Sequence, residues 1–427
     1  MPYGVMRDAR LLRAVSFAFI CMFLLSIRSN AQTDPEPPQP VTVLWSQAIP
    51  AEHHFQDILW LQDRSVLLLA SHSARPDQSD LDLLRLGPGT SGTGQLVPVE
   101  SGSFRIVRDE ADTLWTGGAI NFRISFPGYH ASDAYLAHLT RDGHLLWKRE
   151  FRGDHAIRGV QSLAPSPGGD VLVAGQFGMQ NWLARITRDG NVVWERLFGF
   201  GKAASVAVYG DLIVVAAFDA DNIERPQLIE NERISVWRFD MSGQLIDQHV
   251  VIQNIGNIYN YSNMHNTFIE VIPDPSGRSF YLFAAWSTKL KPATPLEVVK
   301  LSAQADVLWR TKLPDTVYKA EILEEKGGPV VGEEDVLCRP RMTVLSTGVP
   351  VIIVCGSERA FALAQLLPTS GEIRRTLVQP PHPSGCDPGF HQRDQFVTQG
   401  KDSRVLLFGT GGACGWLGQV VLPEFVK

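Results

Sequence analysis

Two nearly identical nine-residue phrases, LTRDGHLLW (139–147) and ITRDGNVVW (186–194), lie 47 residues apart in the chain. In each phrase an Asp-Gly pair separates two apolar stretches, which is the pattern of a tight turn between β-strands. Looser copies with the same order of strand, turn and strand are found at 81–99, 234–251, 296–313 and 361–378. A unit repeated at such spacing indicates a modular fold, built by stacking one small supersecondary element.

A second apolar strand precedes each of these copies, and a turn signal precedes that strand. Seven such strands can be counted, at 65–73, 113–120, 170–177, 211–219, 280–287, 350–357 and 404–412. Each unit therefore contains four short antiparallel strands, which we call A, B, C and D from the inside outwards. The sequence predicts an all-β fold: a seven-bladed β-propeller of four-stranded blades over residues 41–427. Six or eight blades remain alternatives, because residues 314–341 could contain further strands.

The seventh unit lacks a strand D, and an unpaired strand stands at the other end of the chain. Residues 41–49, VTVLWSQAI, read as a strand D whose Trp45 matches Trp147, Trp194 and Trp309. We expect this strand to complete the last blade, because closing the ring hides sheet edges that would otherwise stay exposed. The repeated tryptophans are predicted to pack between blades.

The repeated phrase, followed by a basic residue and Phe in its sharpest form, resembles the repeats of exported bacterial propellers. It is also similar to the repeats of quinoprotein-like (PQQ-like) propellers. The resemblance implies the fold. Quinoprotein dehydrogenases of that type carry a calcium site and adjacent cysteines, and this chain has no adjacent cysteines. Their activity is therefore not expected here.

The N-terminal residues have the layout of a secretory signal. Arginines precede the uncharged apolar run 14–27, and small residues stand at 29 and 31. We predict cleavage after Ala31, because the apolar run is shorter than the ~20 residues that a membrane span needs. An uncleaved anchor is the alternative. Residues 32–40, QTDPEPPQP, are predicted to form a Pro-rich linker, and no later segment is a candidate span.

Charge excludes one class of partner. Residues 1–31 carry four arginines and one aspartate, so without them the formal net charge changes from −6 to −9. Binding to nucleic acid requires a basic surface, and this chain is not expected to provide one. The predicted mature chain is a secreted or periplasmic protein of unknown oligomeric state.

Four cysteines follow the predicted signal, all in the last third of the chain. An even number in an exported protein predicts two disulfides. Four cysteines allow three pairings, among which we favour Cys338–Cys355 and Cys386–Cys414. There is no CxxC motif to suggest a zinc or thioredoxin-type site.

Loop lengths predict which end of the propeller carries the functional site. The A–B and C–D turns read as uniformly short, whereas the B–C and D–A connections hold the insertions, including 121–132, 220–232 and 253–266. Long loops on a rigid scaffold usually carry function. We therefore predict a binding or scaffold module that holds a protein or carbohydrate partner on the B–C/D–A face. Tyr259, Asn260, Tyr261 and Asn263 are candidate ligand contacts there, because rings stack on a ligand and amides bond to its hydroxyls.

An enzyme is the alternative. Four histidines precede strands A, which line the central channel: His54, His155, His265 and His391. Together they could bind a divalent transition metal at the channel mouth of an oxidase, lyase or hydrolase. No nucleophile elbow, HExxH, P-loop or Rossmann glycine motif is present. The sequence therefore names no catalytic residue and no cofactor, and it favours binding over catalysis.

Overall fold

The fold is described by a computed structural model. It describes residues 42–50, 54–61, 65–71, 81–86, 95–99, 103–125, 129–152, 158–201, 204–221, 230–253, 268–285, 296–313, 341–354, 361–378, 395–399, 404–411 and 414–422. All of these residues belong to one compact unit, Gln39–Lys427. They form β-strands and turns and include no helix that could cross a membrane.

The strands form seven four-stranded antiparallel sheets, which we number as blades 1 to 7. In the order A to D, blades 1 to 3 comprise β2 (His54–Trp60), β3 (Val66–Ser71), β4 (Leu81–Leu86), β5 (Gln95–Val99); β6 (Ser103–Arg108), β7 (Leu114–Ser125), β8 (Tyr129–Leu139), β9 (Leu145–Phe151); β10 (Arg158–Pro165), β11 (Val171–Phe177), β12 (Gln180–Ile186), β13 (Val192–Phe198). Blades 4 to 6 comprise β14 (Ala204–Tyr209), β15 (Leu212–Asp221), β16 (Glu230–Asp240), β17 (Leu245–Gln253); β18 (Phe268–Pro273), β19 (Ser279–Ala285), β20 (Leu296–Ser302), β21 (Val307–Leu313); β22 (Arg341–Val344), β23 (Pro350–Val354), β24 (Phe361–Leu366), β25 (Ile373–Val378).

Blade 7 joins the two ends of the chain. It comprises β26 (Gln395–Gln399), β27 (Arg404–Gly411), β28 (Cys414–Val421) and, as its strand D, β1 (Thr42–Pro50). The pairing of β1 with β28 is antiparallel and runs from Thr42 opposite Val421 to Pro50 opposite Cys414. Each strand A also contacts the strands A of both neighbouring blades, so the ring is continuous. The seven-bladed propeller and its closure by the N-terminal strand are thus confirmed.

The hydrophobic core lies between the blades. Among the described residues, seven clusters of buried apolar side chains occupy the seven seams, each combining residues of two neighbouring blades. The closing seam, for example, packs Ile58 and Leu68 of blade 1 against Leu406 and Leu417 of blade 7. Strands B are buried on both faces, as in β11, and they therefore read as continuous apolar runs rather than alternating ones.

The tryptophan of the repeated phrase bonds to the next blade. Trp147 of blade 2 donates its Nε1–H to the carbonyl oxygen of Arg188 in the C–D turn of blade 3, at 2.8 Å. Trp194 of blade 3 bonds in the same way to Met241 of blade 4 at 3.2 Å. Trp309 of blade 5 bonds to the carbonyl of residue 368 in blade 6 at 2.9 Å. Inter-blade packing of these three tryptophans is confirmed, and the side chain of residue 45 lies outside the described part.

The glycine of the phrase faces the tryptophan of the preceding blade. Gly243 has φ +80°, and a Cβ added there would lie 2.7 Å from the ring of Trp194. Gly190 has φ +84°, and its added Cβ would lie 3.3 Å from Trp147. Glycine is thus required by both the turn and the close approach of the indole. Within one phrase, the glycine contacts the preceding blade and the tryptophan contacts the following blade. The two residues therefore recur together.

Candidate functional site

The two ends of the propeller differ in their connections. One end, which we call the short-turn face, carries the A–B and C–D turns. In blades 2 to 6 the C–D turns comprise residues 140–144, 187–191, 241–244, 303–306 and 367–372. Backbone hydrogen bonds close them, as from Gly143 N–H to the Thr140 carbonyl at 2.9 Å. The prediction of uniformly short turns fails in blade 1, whose C–D connection comprises residues 87–94.

The opposite end, which we call the long-connection face, carries the B–C and D–A connections. The longest of these are residues 72–80, 222–229, 254–267, 286–295, 314–340 and 379–394. They lie outside the described residues. Their concentration at one end nevertheless follows from the bounds of the strands that flank them, as the loop lengths predicted.

Two β-ribbons extend the sheets at the long-connection face. In blade 2, β7 continues to Ser125 and β8 starts at Tyr129, so the predicted loop 121–132 is mostly strand. Pairing continues past a register shift between Ile120 and Arg123. In blade 4 the predicted loop 220–232 is likewise strand at both ends. Blade 3, between them, has a B–C turn of only residues 178–179.

Asp219 anchors the base of the blade 4 ribbon. Its side chain is buried, and its Oδ2 accepts hydrogen bonds from Arg233 Nε at 2.9 Å, Gln248 Nε2 at 2.9 Å and Ser235 Oγ at 3.4 Å. A buried carboxylate that accepts three side-chain hydrogen bonds is held in place. Asp219 therefore fixes the position of the ribbon.

The connection between blades 3 and 4 places an aromatic side chain on the same face. The Phe200 carbonyl accepts from Ala220 N–H at 3.2 Å, and Gly201 N–H donates to the Met179 carbonyl at 2.9 Å. Gly201 has no room for a side chain, since an added Cβ would lie 1.8 Å from the Phe218 oxygen. The backbone is thus tied to both blades, while the side chain of Phe200 is 44% exposed.

A buried acid lies at the start of strand C in blade 5, next to the connection 286–295. Glu297 is 1% exposed, and its Oε1 is 3.0 Å from Arg310 Nε. Burial raises the pKa of the Glu297 carboxyl above its ordinary value of 4.5, while Arg310 and Lys312 act to lower it. The pair is a structural ion pair across strands C and D of this blade.

Side chains of strands A join neighbouring blades around the channel. Asp57 Oδ2 accepts the backbone N–H of Ile106 at 3.0 Å. Three further acceptors take the same kind of bond from the next strand A: Ser162 from Val206 and Ser205 from Val271, each at 3.1 Å, and Glu270 from Met342, also at 3.1 Å. These four polar side chains hydrogen-bond neighbouring strands A to each other. They therefore stabilise the wall of the central channel.

Of the four predicted metal ligands, only His54 belongs to a described strand. His54 is the first residue of β2, in the strand rather than in the connection, and its side chain is outside the described part. His155, His265 and His391 fall in the connections before β10, β18 and β26, also outside it. Among the described residues, no three His, Cys, Asp or Glu side chains are grouped so that they could hold a metal ion. The four-histidine site stays a prediction.

The other predicted contacts also lie largely outside the described residues. This holds for Tyr259, Asn260, Tyr261 and Asn263 and for Cys338, Cys355 and Cys386. Cys414 is the first residue of β28, and its side chain is not described. The two disulfides and the ligand-binding loop therefore stay predictions. Sequence analysis missed Asp219 and Phe200; the charged end of an apolar strand B and the glycines around Phe200 are the signals that point to them.

Comparisons with known proteins find similar folds at low identity. No family model matches the chain, and no curated protein matches it. A putative 6-phosphogluconolactonase from Bacteroides uniformis is 12% identical, covering 75% of this chain and 84% of its own, with a TM-score of 0.47. The WD40 domain of Toxoplasma gondii coronin is 10% identical over 92% of this chain and 90% of its own, also with a TM-score of 0.47. A protein of unknown function from Bacteroides caccae is 14% identical over 64% and 78%, with a TM-score of 0.39. The closed ring of seven four-stranded sheets identifies the fold as a seven-bladed β-propeller.

Proposed function

We propose that this protein is an exported binding module that holds a protein or carbohydrate partner on its long-connection face. The observation that carries the proposal is the difference between the two ends of the propeller. The short-turn face is occupied by contacts that join one blade to the next. The long-connection face carries two ribbons, most of the connecting residues, and an exposed Phe200 whose backbone bonds to blade 4. Residues that do not hold the scaffold together are free to bind a partner.

Site-specific photo-crosslinking tests this proposal. A photoreactive phenylalanine analogue replaces Phe200 on the long-connection face or, as a matched control, the exposed Asp189 on the short-turn face. We expect a defined crosslinked product from position 200 and none from position 189, in cells that naturally export the protein. Products from position 189 alone, or none from position 200 at equal protein levels, would overturn the proposal.

A second candidate function is a metal-dependent enzyme at the channel mouth. It is favoured by one observation: His54 begins a strand A, and His155, His265 and His391 each stand within four residues of the start of another. Elemental analysis of protein purified without chelator or His-tag tests it. About one equivalent of a transition metal, lost in a His265→Ala/His391→Ala variant, would support this candidate, and metal content unchanged by the variant would exclude it. No quinone cofactor is proposed, since the resemblance to quinoprotein-like propellers is limited to the sequence pattern of the repeats.

Export itself is part of the proposal. The mature chain is proposed to begin at Gln32, in the periplasm or outside the cell, and to carry Cys338–Cys355 and Cys386–Cys414. Intact mass and peptide mapping of the exported protein test both statements. A retained N-terminus would indicate a membrane anchor, and four free thiols would exclude the disulfides.

A further inference from the structure

Equivalent positions in neighbouring blades can be compared by register. The reference is the strand C residue that lies opposite the tryptophan position of strand D, which is His138, Arg185, Arg238 and Lys300 in blades 2 to 5. Counted from this residue, the seam between blades 2 and 3 and the seam between blades 3 and 4 use the same positions. They differ in which side chains fill their ends at the long-connection face.

The seam between blades 2 and 3 is filled at this end by a cation of the protein itself. The guanidinium carbon of Arg158 lies 4.6 Å from the ring centroid of Phe177 and 4.4 Å from that of Trp182. It also lies 5.4 Å from the ring of Phe151 in blade 2. Its Nη2 is 2.8 Å from Glu195 Oε2. The rings and the carboxylate of this seam are thus occupied by Arg158.

The seam between blades 3 and 4 holds a polar network at the same positions. Asp219, Ser235 and Gln248 stand where the preceding seam has Phe177, Trp182 and Glu195, each at the same distance in register from Arg238 or Arg185. Gln248 Nε2 lies 2.9 Å from Asp219 Oδ2 and 3.3 Å from Ser235 Oγ. Arg233 Nη2 forms an ion pair with Asp219 at 2.9 Å. Hydrogen-bonding groups therefore replace the aromatic filling.

Exposed apolar side chains flank this network. Phe200 is 44% exposed, and its backbone nitrogen lies 3.4 Å from Asp219 Oδ1. Val250, which lies opposite Ser235 in register, is 40% exposed, and Gln248 on the same strand is exposed as well. An aromatic ring beside an amide and an ion pair is suited to stack on a ligand and to hydrogen-bond its edge. We call this group of side chains the seam crevice: Phe200, Asp219, Arg233, Ser235, Gln248 and Val250.

Buried polar atoms beside the seam crevice lack a hydrogen-bond partner within the protein. They are Gln176 Oε1, Asn181 Oδ1 and Trp237 Nε1, on side chains that are 3%, 0% and 7% exposed. A Cβ added to Gly199 would lie within 3.5 Å of Asn181 Nδ2, the Trp237 ring and Asp219 Oδ1, so these groups converge. Buried polar atoms are usually paired with protein or with a bound molecule. A hydroxyl group both donates and accepts, so it can pair with either kind of atom.

We propose that the seam crevice is a saccharide site, and that the partner of the long-connection face is a neutral carbohydrate. This inference rests on the proposed binding function and names the ligand class. Phe200 stacks on the apolar face of a sugar ring, and the exposed Gln248 amide bonds to its hydroxyls. A hydroxyl directed into the seam pairs with Asn181 or Trp237, directly or through one water.

The charges of the seam crevice favour an uncharged ligand. Asp219 and Arg233 neutralise each other, so the described part of the crevice carries no uncompensated charge. An acidic sugar would bring its carboxylate next to Asp219, where like charges repel. An apolar side chain of a protein partner would cover the polar network without pairing with it, which costs free energy. A sugar ring, with apolar faces and a polar rim, avoids both costs.

Glycan binding by the full mature chain tests the proposal. The chain is applied to an array of neutral and acidic oligosaccharides, and the neutral oligosaccharide that binds best is titrated by calorimetry. We expect Phe200→Ala and Gln248→Leu to raise its Kd by about tenfold or more. The control is Leu308→Ala, which removes a side chain that is 55% exposed on strand D of blade 5 and should keep the wild-type affinity.

A spectroscopic readout tests the buried part of the site. The indole N–H signal of Trp237, assigned by its loss in Trp237→Phe, should shift when the same oligosaccharide saturates the protein. The saccharide site is refuted if no neutral glycan binds, if acidic glycans bind more tightly, or if Phe200→Ala binds as wild type does. A protein crosslinked from position 200 without glycan binding would refute the saccharide but keep the long-connection face as the binding surface. Absence of both would refute the proposed function as well.

Discussion

The two ends of this propeller are built from the same strands, but their residues make different contacts. At the short-turn face, Trp194 bonds to the turn of the next blade, and Gly243 of that turn lies against its ring. At the long-connection face, Arg233 and Gln248 bond to Asp219 within blade 4, and backbone bonds of Phe200 and Gly201 join blades 3 and 4.

The difference teaches how stability and binding are separated in one ring. The contacts between blades recur at the short-turn face, so that end repeats in sequence as well as in structure. The long-connection face needs only a few anchors to hold its ribbons. The remaining connections at this face can vary in length and composition without loss of the scaffold. Four substitutions test this division between a stabilising face and a binding face.

The largest effect is expected at Gly243. We expect Gly243→Ala to lower the free energy of unfolding by about 3 kcal/mol, because alanine is strained at φ +80° and its Cβ would meet the ring of Trp194 at 2.7 Å. Chemical denaturation measures the loss. Gly210→Ala is the matched control, since it has φ +58° and no atom within 4 Å, and it should cost about 1 kcal/mol. Equal losses in the two variants would show that the close approach of the tryptophan contributes nothing.

The second largest loss of stability is expected at Asp219, the anchor of the blade 4 ribbon at the long-connection face. Asp219→Asn should lower the free energy of unfolding by about 2 kcal/mol, since the ion pair with Arg233 and a buried hydrogen-bond network would be broken. Thermal and chemical unfolding measure it. The exposed Asp211→Asn should stay within about 0.5 kcal/mol of wild type. A neutral Asp219→Asn would mean that the ribbon needs no anchor.

Removing the donor of one seam should have a smaller effect. Trp194→Phe keeps an aromatic ring but cannot bond to the Met241 carbonyl, so we expect a loss of about 1 kcal/mol. Because Trp194 and Gly243 are in contact, the Trp194→Phe/Gly243→Ala double variant should lose less than the sum of the single losses. Strict additivity in this cycle would contradict the contact between the two residues.

The smallest effect on stability, and the largest on binding, is expected at Phe200. Phe200→Ala should change the free energy of unfolding by less than about 0.5 kcal/mol, because the side chain is largely exposed and the backbone bonds are unaffected. Partner capture by the proposed long-connection face should fall. If binding is unchanged and stability falls instead, Phe200 belongs to the scaffold.

The fold was largely predictable, whereas the local site was not. Strands B are covered on both faces, so their continuous apolar runs identified all seven blades. Residues 121–132 were predicted as a loop inserted between strands B and C of blade 2. In the structure β7 continues past Asn121 by shifting its register against β8. The role of Asp219 as an anchor could not be predicted, because its partners, residues 233, 235 and 248, come from two other strands.

The sequence by itself indicated seven blades, the order of their strands and the closure of the ring by β1, and the structure excluded six or eight blades. These predictions follow from local patterns, since burial of each strand imposes its own periodicity and Asp-Gly pairs mark the turns. Only the tertiary structure decided which groups meet across the seams. It placed His138 where other blades hold an arginine or lysine, and set Trp147 against the turn of the following blade. Such contacts depend on register and on the packing of separate sheets, which no single stretch of sequence specifies.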